Sequence, residues 1–426
     1  MRARGKPRRG RTEAASPGRP SRGRGRSAAE PGRATAGGHA RAERPEDRRR
    51  RAPAVGAPAR EPRRPPARPA AGPPLAGPWL WTTRQGAEGD LAEELGLALG
   101  PGAAEVVGPA LVRSRAAPTR PSGGVDLTFA RCGFREIGLP GGAAVRARLA
   151  PGERAFELLR PHLAAAPCWA LDAFVPDTDL DNPLVEGVGA IGRELVALVA
   201  ARAPEVARRR VELAALRHRE GIVVLLCLAT SGLHVGWVAA AEALGLAPGG
   251  RSRVRVPGDK PSRAARKLEE AFAWFGVGPA PGELCVDLGA APGGWSWLLL
   301  ERGARVVAVD PARMRPDLTA RRALRHVQDS AFRYEHERDD PFATGEPADW
   351  LCCDMAWRPL EVAALLAKWG RRGAARLLVA NLKLPMKRKA EMVARLRGIV
   401  AEGGWREVRT RQLYHDREEV TLVAHR

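Results

Sequence analysis

From Val254 onward, short apolar runs alternate with stretches of helical periodicity, and this rhythm constrains the chain more than any other feature. The runs Leu284–Leu288, Arg305–Val309, His326–Gln328, Asp349–Cys353 and Arg376–Leu382 have the length of strands. Helix-length segments separate them, and neighbouring parallel strands need crossovers of about that size. After a helix near Glu391–Val400, the runs Glu407–Leu413 and Glu418–Ala424 follow close together. The expectation is an α/β domain over 251–426: a doubly wound, mostly parallel sheet of seven strands that ends in a hairpin.

The upstream rhythm differs. Trp79–Thr83 and Leu127–Phe134 read as strands, with helices at Ala87–Leu97 and Glu153–Arg160. From Ala170 come a strand to Val175, a helix over Leu184–Ala203, and strands Gly221–Leu228 and Leu233–Ala240 around the tight Thr230-Ser231-Gly232 connection. This predicts two small α+β domains, 77–165 and 166–250. Residues 1–76 are Arg, Pro, Ala and Gly with few large apolar side chains. Such a segment cannot bury enough surface to offset its conformational entropy, so a disordered tail is expected.

Charge adds less than its total suggests. Of the formal +22, +15 falls within residues 1–70, so the folded part is only mildly basic. The six cysteines show no CxxC pair and no His spacing of a zinc site, which reads as buried apolar packing in a reducing, cytoplasmic setting. No apolar run reaches the roughly 18–20 residues of a membrane span, and no secretory h-region opens the chain. A membrane partner is therefore not expected.

The first strand of the alternating region ends in Val286-Asp287-Leu288-Gly289-Ala290-Ala291-Pro292-Gly293-Gly294, and a helix opens near Trp295. Glycines at such a turn let the backbone approach a nucleotide-type ligand lying across the strand ends. The next strand ends in Asp310, where an acid is suited to gripping ribose hydroxyls. The turn lacks G-x-G-x-x-G, which argues against a dinucleotide. The whole string resembles motif I of the FtsJ-type ribose 2′-O-methyltransferases, a Rossmann-like fold that uses S-adenosylmethionine. That resemblance implies cofactor contacts at Asp287, Gly289, Ala291, Pro292, Gly293, Gly294 and Asp310. It adds Asp329 against the adenine amino group, and Asp354 facing the same crevice.

Methylating a ribose hydroxyl requires removal of its proton while oxygen, methyl carbon and sulfur lie nearly in line. A metal is not needed, because the sulfonium already makes the methyl electrophilic. Lysine can serve as base if neighbours lower its pKa from about 10.4, whereas arginine does not deprotonate at accessible pH. Only seven of the 70 Lys and Arg residues are lysines, and six lie between Lys260 and Lys389. Lys267 begins the helix before motif I, and Lys383 ends the fifth strand in Asn381-Leu382-Lys383-Leu384-Pro385-Met386-Lys387. With Asp354 and Glu419 they form Lys-Asp-Lys-Glu in chain order, which resembles the tetrad of those methyltransferases. The implied roles are Lys383 as general base, Asp354 orienting it and helping to hold the methionine amine, Lys267 supplying positive charge, and Glu419 fixing a lysine. Glu419 is preferred to Glu418 because it matches the family's Glu-Val-x-x-Val strand.

Longer strings narrow the resemblance. Pro261–Phe272, the motif I run, Cys353-Asp354-Met355, Asn381–Lys387 and Arg411–Thr421 together resemble the RlmM family of bacterial 23S rRNA cytidine 2′-O-methyltransferases. The similarity is dense over 255–426 and thin upstream, where a ferredoxin-like piece and a THUMP RNA-binding domain are implied. The partner would be 23S rRNA, naked or in an early precursor, met by a monomer. Phosphate contacts are expected from Arg251, Arg253, Arg255, Lys260, Lys387, Arg388 and Lys389. Two departures stand out: Ala264 replaces a serine that contacts the cofactor, passing that role to backbone or Ser262, and Ala291 replaces a cysteine. Other readings are an FtsJ-like enzyme acting on another RNA, or a noncatalytic RNA-binding or ribosome-assembly protein on the same scaffold.

Overall fold

The computed structural model describes residues 72–120, 123–138, 150–252 and 264–426, all within one unit spanning Arg64–Arg426. Ser262, Arg253, Arg255, Lys260 and residues 1–71 of the expected tail lie outside the described residues.

The N-terminal sheet holds β1 (Gly72–Thr83), β2 (Ala104–Gly108), β3 (Leu111–Thr119), β4 (Ala130–Gly138), β5 (Trp169–Phe174), β6 (Ile222–Ala229) and β7 (Gly232–Ala239). Their order is β2-β3-β1-β4-β7-β6-β5. Only β5 and β6 pair in parallel; every other pair is antiparallel. Three expectations change here. The first strand begins at Gly72, so residues 72–76 belong to the sheet and not to the tail. Strands β2 and β3 escape the sequence reading because β2 is short and carries Glu105 while β3 carries Arg113 and Arg115: Arg113 reaches Glu136 at 2.7 Å and Glu105 at 3.3 Å. The division at 165/166 does not separate two sheets, because Arg135 of β4 pairs with Trp237 of β7. Ladder bonds make one surface of the two predicted pieces.

The second sheet holds β8 (Leu284–Leu288), β9 (Arg305–Val309), β10 (Leu324–Val327), β11 (Ala348–Cys353), β12 (Ala375–Lys383), β13 (Arg406–Arg411) and β14 (Glu419–His425). Their order is β10-β9-β8-β11-β12-β14-β13, with β14 antiparallel to both neighbours. This is the doubly wound sheet with a terminal hairpin that the alternation predicts. Residues 285 and 286 show why the strands read as continuous apolar runs. Cys285 packs with Leu268, Phe272 and Leu299 on one face, while Val286 packs with Val362, Leu366 and Leu396 on the other. Both faces are roofed by helices, so alternation is lost. The order reverses between β9 and β11 at β8, the topological switch point at whose carboxyl ends open sheets of this kind bind ligands in a crevice.

The two sheets share one apolar cluster running from Trp79 and Phe129 to Val420 and Leu422. Hydrogen bonds stitch the seam: Gln412 N–H donates to the Thr128 carbonyl at 2.8 Å, and the Thr128 and Thr410 hydroxyls meet at 2.8 Å. Arg397 holds Asp126 at 2.7 Å. No described helix is long and apolar enough to cross a membrane.

Candidate active site

The motif I turn follows β8. Gly289 has φ +78°, and a Cβ there would lie 2.7 Å from Met355 Cγ; Gly293 has φ +114°, and a Cβ there would lie 2.3 Å from Leu318. Only glycine fits either position, for conformation and for packing alike. Helix Gly294–Glu301 starts directly afterwards, with no side-chain cap from Gly293 at its N-terminus.

Asp287 is wholly buried below this turn. Its Oδ2 accepts the Ser296 hydroxyl at 2.7 Å, while its Oδ1 is buried without a hydrogen-bond partner. Burial pushes its pKa up to about 7, against the hydrogen bond from Ser296. Asp354 directly follows β11 and has the same signature: Oδ1 is buried and unpartnered. Its pKa is raised by burial, an effect that Lys267 and Lys383 partly oppose. Two unsatisfied carboxylate oxygens in one crevice fit a cationic ligand such as the ammonium of a methionine moiety.

Asp310 does two jobs with backbone donors. It accepts Ala291 N–H at 3.1 Å and Ala312 N–H at 2.7 Å, which ties the tip of β9 to motif I. Asp329 follows β10, whose Val327 carbonyl receives the N–H groups of both Asp310 and Asp329. The two loops are therefore neighbours. The Asp329 carboxylate is engaged by Arg333, whose Nε lies 2.8 Å away, and this pairing holds its pKa below the usual range.

The tetrad converges from four elements. Lys383 closes β12 and sits in register opposite Glu419, the first residue of β14. Lys267 lies in the first turn of the helix Ala265–Phe275, which buries Ala265, Leu268, Ala271 and Phe272 against the sheet. Glu419 Oε1 accepts from Lys267 and Oε2 accepts from Lys383. Burial would raise the Glu419 pKa, but the hydrogen bonds and charges of the two lysines outweigh it and keep the carboxylate ionised. Glu418 points elsewhere, to Lys389 at 2.9 Å and Arg84 at 3.8 Å. The structure thus brings Lys267, Lys383, Glu419, Asp354 and Asp287 together beside motif I.

A supporting set was missed by sequence reasoning. Glu270, one turn beyond Lys267, accepts Tyr414 N–H at 2.7 Å, His415 N–H at 3.0 Å and His415 Nδ1 at 2.7 Å, and so pins the β13–β14 loop to the lysine's helix. Its signal was a carboxylate on the apolar stripe of that helix. Behind the tetrad, Thr421 reaches Asn381 Oδ1 at 2.8 Å and Asp416 Oδ2 at 3.1 Å, and burial pushes the Asp416 pKa well up.

A cleft of about 800 Å³ opens beside this site, between Arg217–Gly221 and Ala239–Ala247 on one side and Trp274, Arg409, Arg411 and Tyr414 on the other. Arg409 lies over the Trp274 ring at 4.8 Å. Burial pushes its pKa down to about 10, helped by the charges of Arg120 and Arg411. No carboxylate among the described residues lies within ion-pair distance of Arg409, so its environment favours an anion.

The FtsJ-like methyltransferase family model matches residues 261–368. A ribosomal RNA large subunit methyltransferase M from Methylococcus capsulatus is 45% identical over 183 residues, which cover 41% of this chain and 50% of that protein. The match thus spans half of that relative's length. The protein of the same name from Halorhodospira halophila is 35% identical over 312 residues, covering 71% of this chain and 81% of the relative. A third, from Thauera aminoaromatica, is 36% identical over 276 residues, covering 58% and 73%. S-adenosylmethionine is the methyl donor of FtsJ-like methyltransferases, the family whose model matches here. Because the likeness runs through both sheets, and not through the motif I region alone, the chain belongs to the ribosomal RNA large subunit methyltransferase M family.

Proposed function

We propose that this protein transfers a methyl group from S-adenosylmethionine to the ribose 2′-hydroxyl of a cytidine in 23S rRNA, with Lys383 accepting the hydroxyl proton. The observation that carries the reading is one buried carboxylate, Glu419, shared by two lysines at the rim of the cofactor crevice. When bound, the cofactor supplies an electrophilic methyl group. Lys383 Nζ lies at the end of β12, where a hydroxyl entering above the strand tips would meet it. Glu419 fixes the direction of that amine, and Lys267 adds a positive charge beside the developing oxyanion. Asp354 orients the pair, and its free oxygen, with that of Asp287, accepts the methionine ammonium. Asp310 lines the ribose end and Asp329 the adenine end.

The RNA reading draws on charge as well as on family. Arg217, Arg219 and Arg409 line the cleft with Trp274 and Tyr414, a mixture suited to phosphates and unstacked bases, while the buried Arg411 is spent on the Leu244 and Arg131 carbonyls. The N-terminal sheet would then serve as the RNA-holding part.

The test is single-turnover transfer of labelled methyl to unmodified 23S rRNA. Lys383→Ala and Lys383→Arg should each abolish transfer, by roughly a hundredfold or more, while cofactor affinity survives. An active Lys383→Arg would remove the base role, because guanidinium does not deprotonate. Nuclease mapping of the product by mass spectrometry identifies the nucleotide, and a methyl on any group other than a cytidine ribose would refute the assignment.

A further inference from the structure

We infer that Trp357, in the loop directly after Asp354, forms a stacking platform for an unpaired nucleobase of the RNA strand near the tetrad. This rests on the RNA methylation reading and adds the residues that grip the substrate base.

Among the described residues, large apolar side chains are exposed at Val106, Leu180, Val185, Val277, Trp357 and Met386. One of these is aromatic, and two of them closely follow the tetrad residues Asp354 and Lys383 in sequence. Trp357 comes three residues after Asp354, and Met386 three residues after Lys383. Strands β11 and β12 are parallel neighbours, with Cys353 opposite Ala380, so the loops beyond their carboxyl ends adjoin. Trp357 is 51% exposed and Met386 81%. Leaving them in water is unfavourable unless something covers them.

The indole is also held in place. Trp357 N–H donates to the Met355 carbonyl at 2.9 Å, which closes a tight turn directly after Asp354. Its Nε1–H donates to Glu361 Oε2 at 2.7 Å, and its ring rests on Phe332 with centroids 5.9 Å apart. A ring fixed at its edge and backed on one side presents a preorganised face, so stacking on it costs little ordering entropy. The surroundings favour a polyanion. Arg358 and Arg388 are highly exposed, and each is already turned to one glutamate on its own helix, while Lys387 is exposed. Aromatic faces interleaved with cations are how single-stranded RNA is held, bases on rings and phosphates on charges.

The probes are a fluorescent 12-nucleotide oligouridylate and a 12-nucleotide abasic ribose-phosphate strand of equal charge, together with an unmodified large-subunit rRNA transcript as methyl acceptor. Wild-type protein should bind the oligouridylate roughly tenfold or more tighter than the abasic strand. Trp357→Phe should keep most of that preference. Trp357→Ala should bind both strands alike and show a KM for the transcript raised about tenfold, with S-adenosylmethionine affinity unchanged. A Trp357→Ala protein that keeps its preference for bases, or that loses cofactor affinity instead, overturns the platform while leaving the methylation reading intact. A wild-type protein that methylates no transcript removes that reading, and the platform with it.

Discussion

Two pairs of buried carboxylates, one in the N-terminal half and one at the tips of the second sheet, are treated in opposite ways. In the N-terminal sheet Glu136 is saturated: Arg113 donates at 2.7 Å, His234 Nδ1 lies 2.7 Å away, and Ser231 completes the chain on His234 Nε2 at 3.1 Å. Glu94 likewise spends both oxygens on the Thr128 and Phe129 N–H groups, at 2.7 and 3.0 Å. At the tips of the second sheet, Asp287 and Asp354 each keep a buried oxygen with no partner. A satisfied buried acid stabilises the fold, whereas an unsatisfied one destabilises it unless a ligand completes it. The contrast is between these pairs and not a rule for every buried acid: Asp416 behind the tetrad also keeps an unpartnered oxygen, and Glu419 has none.

The comparison can be broken by mutation. The largest effect is expected at Asp354→Ala, which should lower methyl transfer by roughly 10²- to 10⁴-fold while leaving the melting temperature unchanged or raised. A large drop in the melting temperature would place Asp354 with the framework. Glu136→Ala should do the reverse. It strands His234 and Arg113 in the sheet and should cost about 3–5 kcal/mol in urea unfolding, with transfer by the folded fraction preserved. If unfolding is unaffected, saturation is not what gives that residue its role.

Two smaller effects concern protons. Asp287 has its pKa raised by burial to about 7, so in the free enzyme it is increasingly neutral below that pH. Isothermal titration should find S-adenosylmethionine binding weakening as pH falls through about 7, and Asp287→Asn should bind weakly with that dependence gone. Glu94 has its pKa raised by burial from 4.5 to about 7, so the folded state holds this proton more tightly than the unfolded chain does. Its contribution is fully present below pH 4.5 and is lost as pH rises to about 7, a change on the order of 2–4 kcal/mol. Unfolding curves of Glu94→Gln should lack that component; an unchanged slope of stability against pH would contradict it.

Much of the second sheet was legible because its strands are buried on both faces and each apolar run ends at a polar tip residue. Strands β8 and β9 occur at the expected bounds, and β11 and β12 within a residue or so. Strand β10 starts two residues early, since Leu324 is its most buried side chain and His326 is only half-covered. The N-terminal sheet was less legible. Strands β2 and β3 carry charged cross-strand pairs that mimic a polar loop, and the β4–β7 pairing joins residues about 100 positions apart with no local signature.

The residue types for the chemistry, the strand ends that bear them and the glycine turn were determined by sequence alone, because each depends on local spacing and on what a side chain can ionise or accept. Which of two adjacent glutamates meets the lysines depended on tertiary structure. Neighbouring residues of a strand face opposite ways, so only the pairing of Lys383 with Glu419 turns one carboxylate inward and leaves Glu418 to Lys389. The union of the predicted N-terminal domains in one sheet and the pinning of the site loop by Glu270 were decided there too. Long-range pairing and burial exist only once the chain has closed on itself.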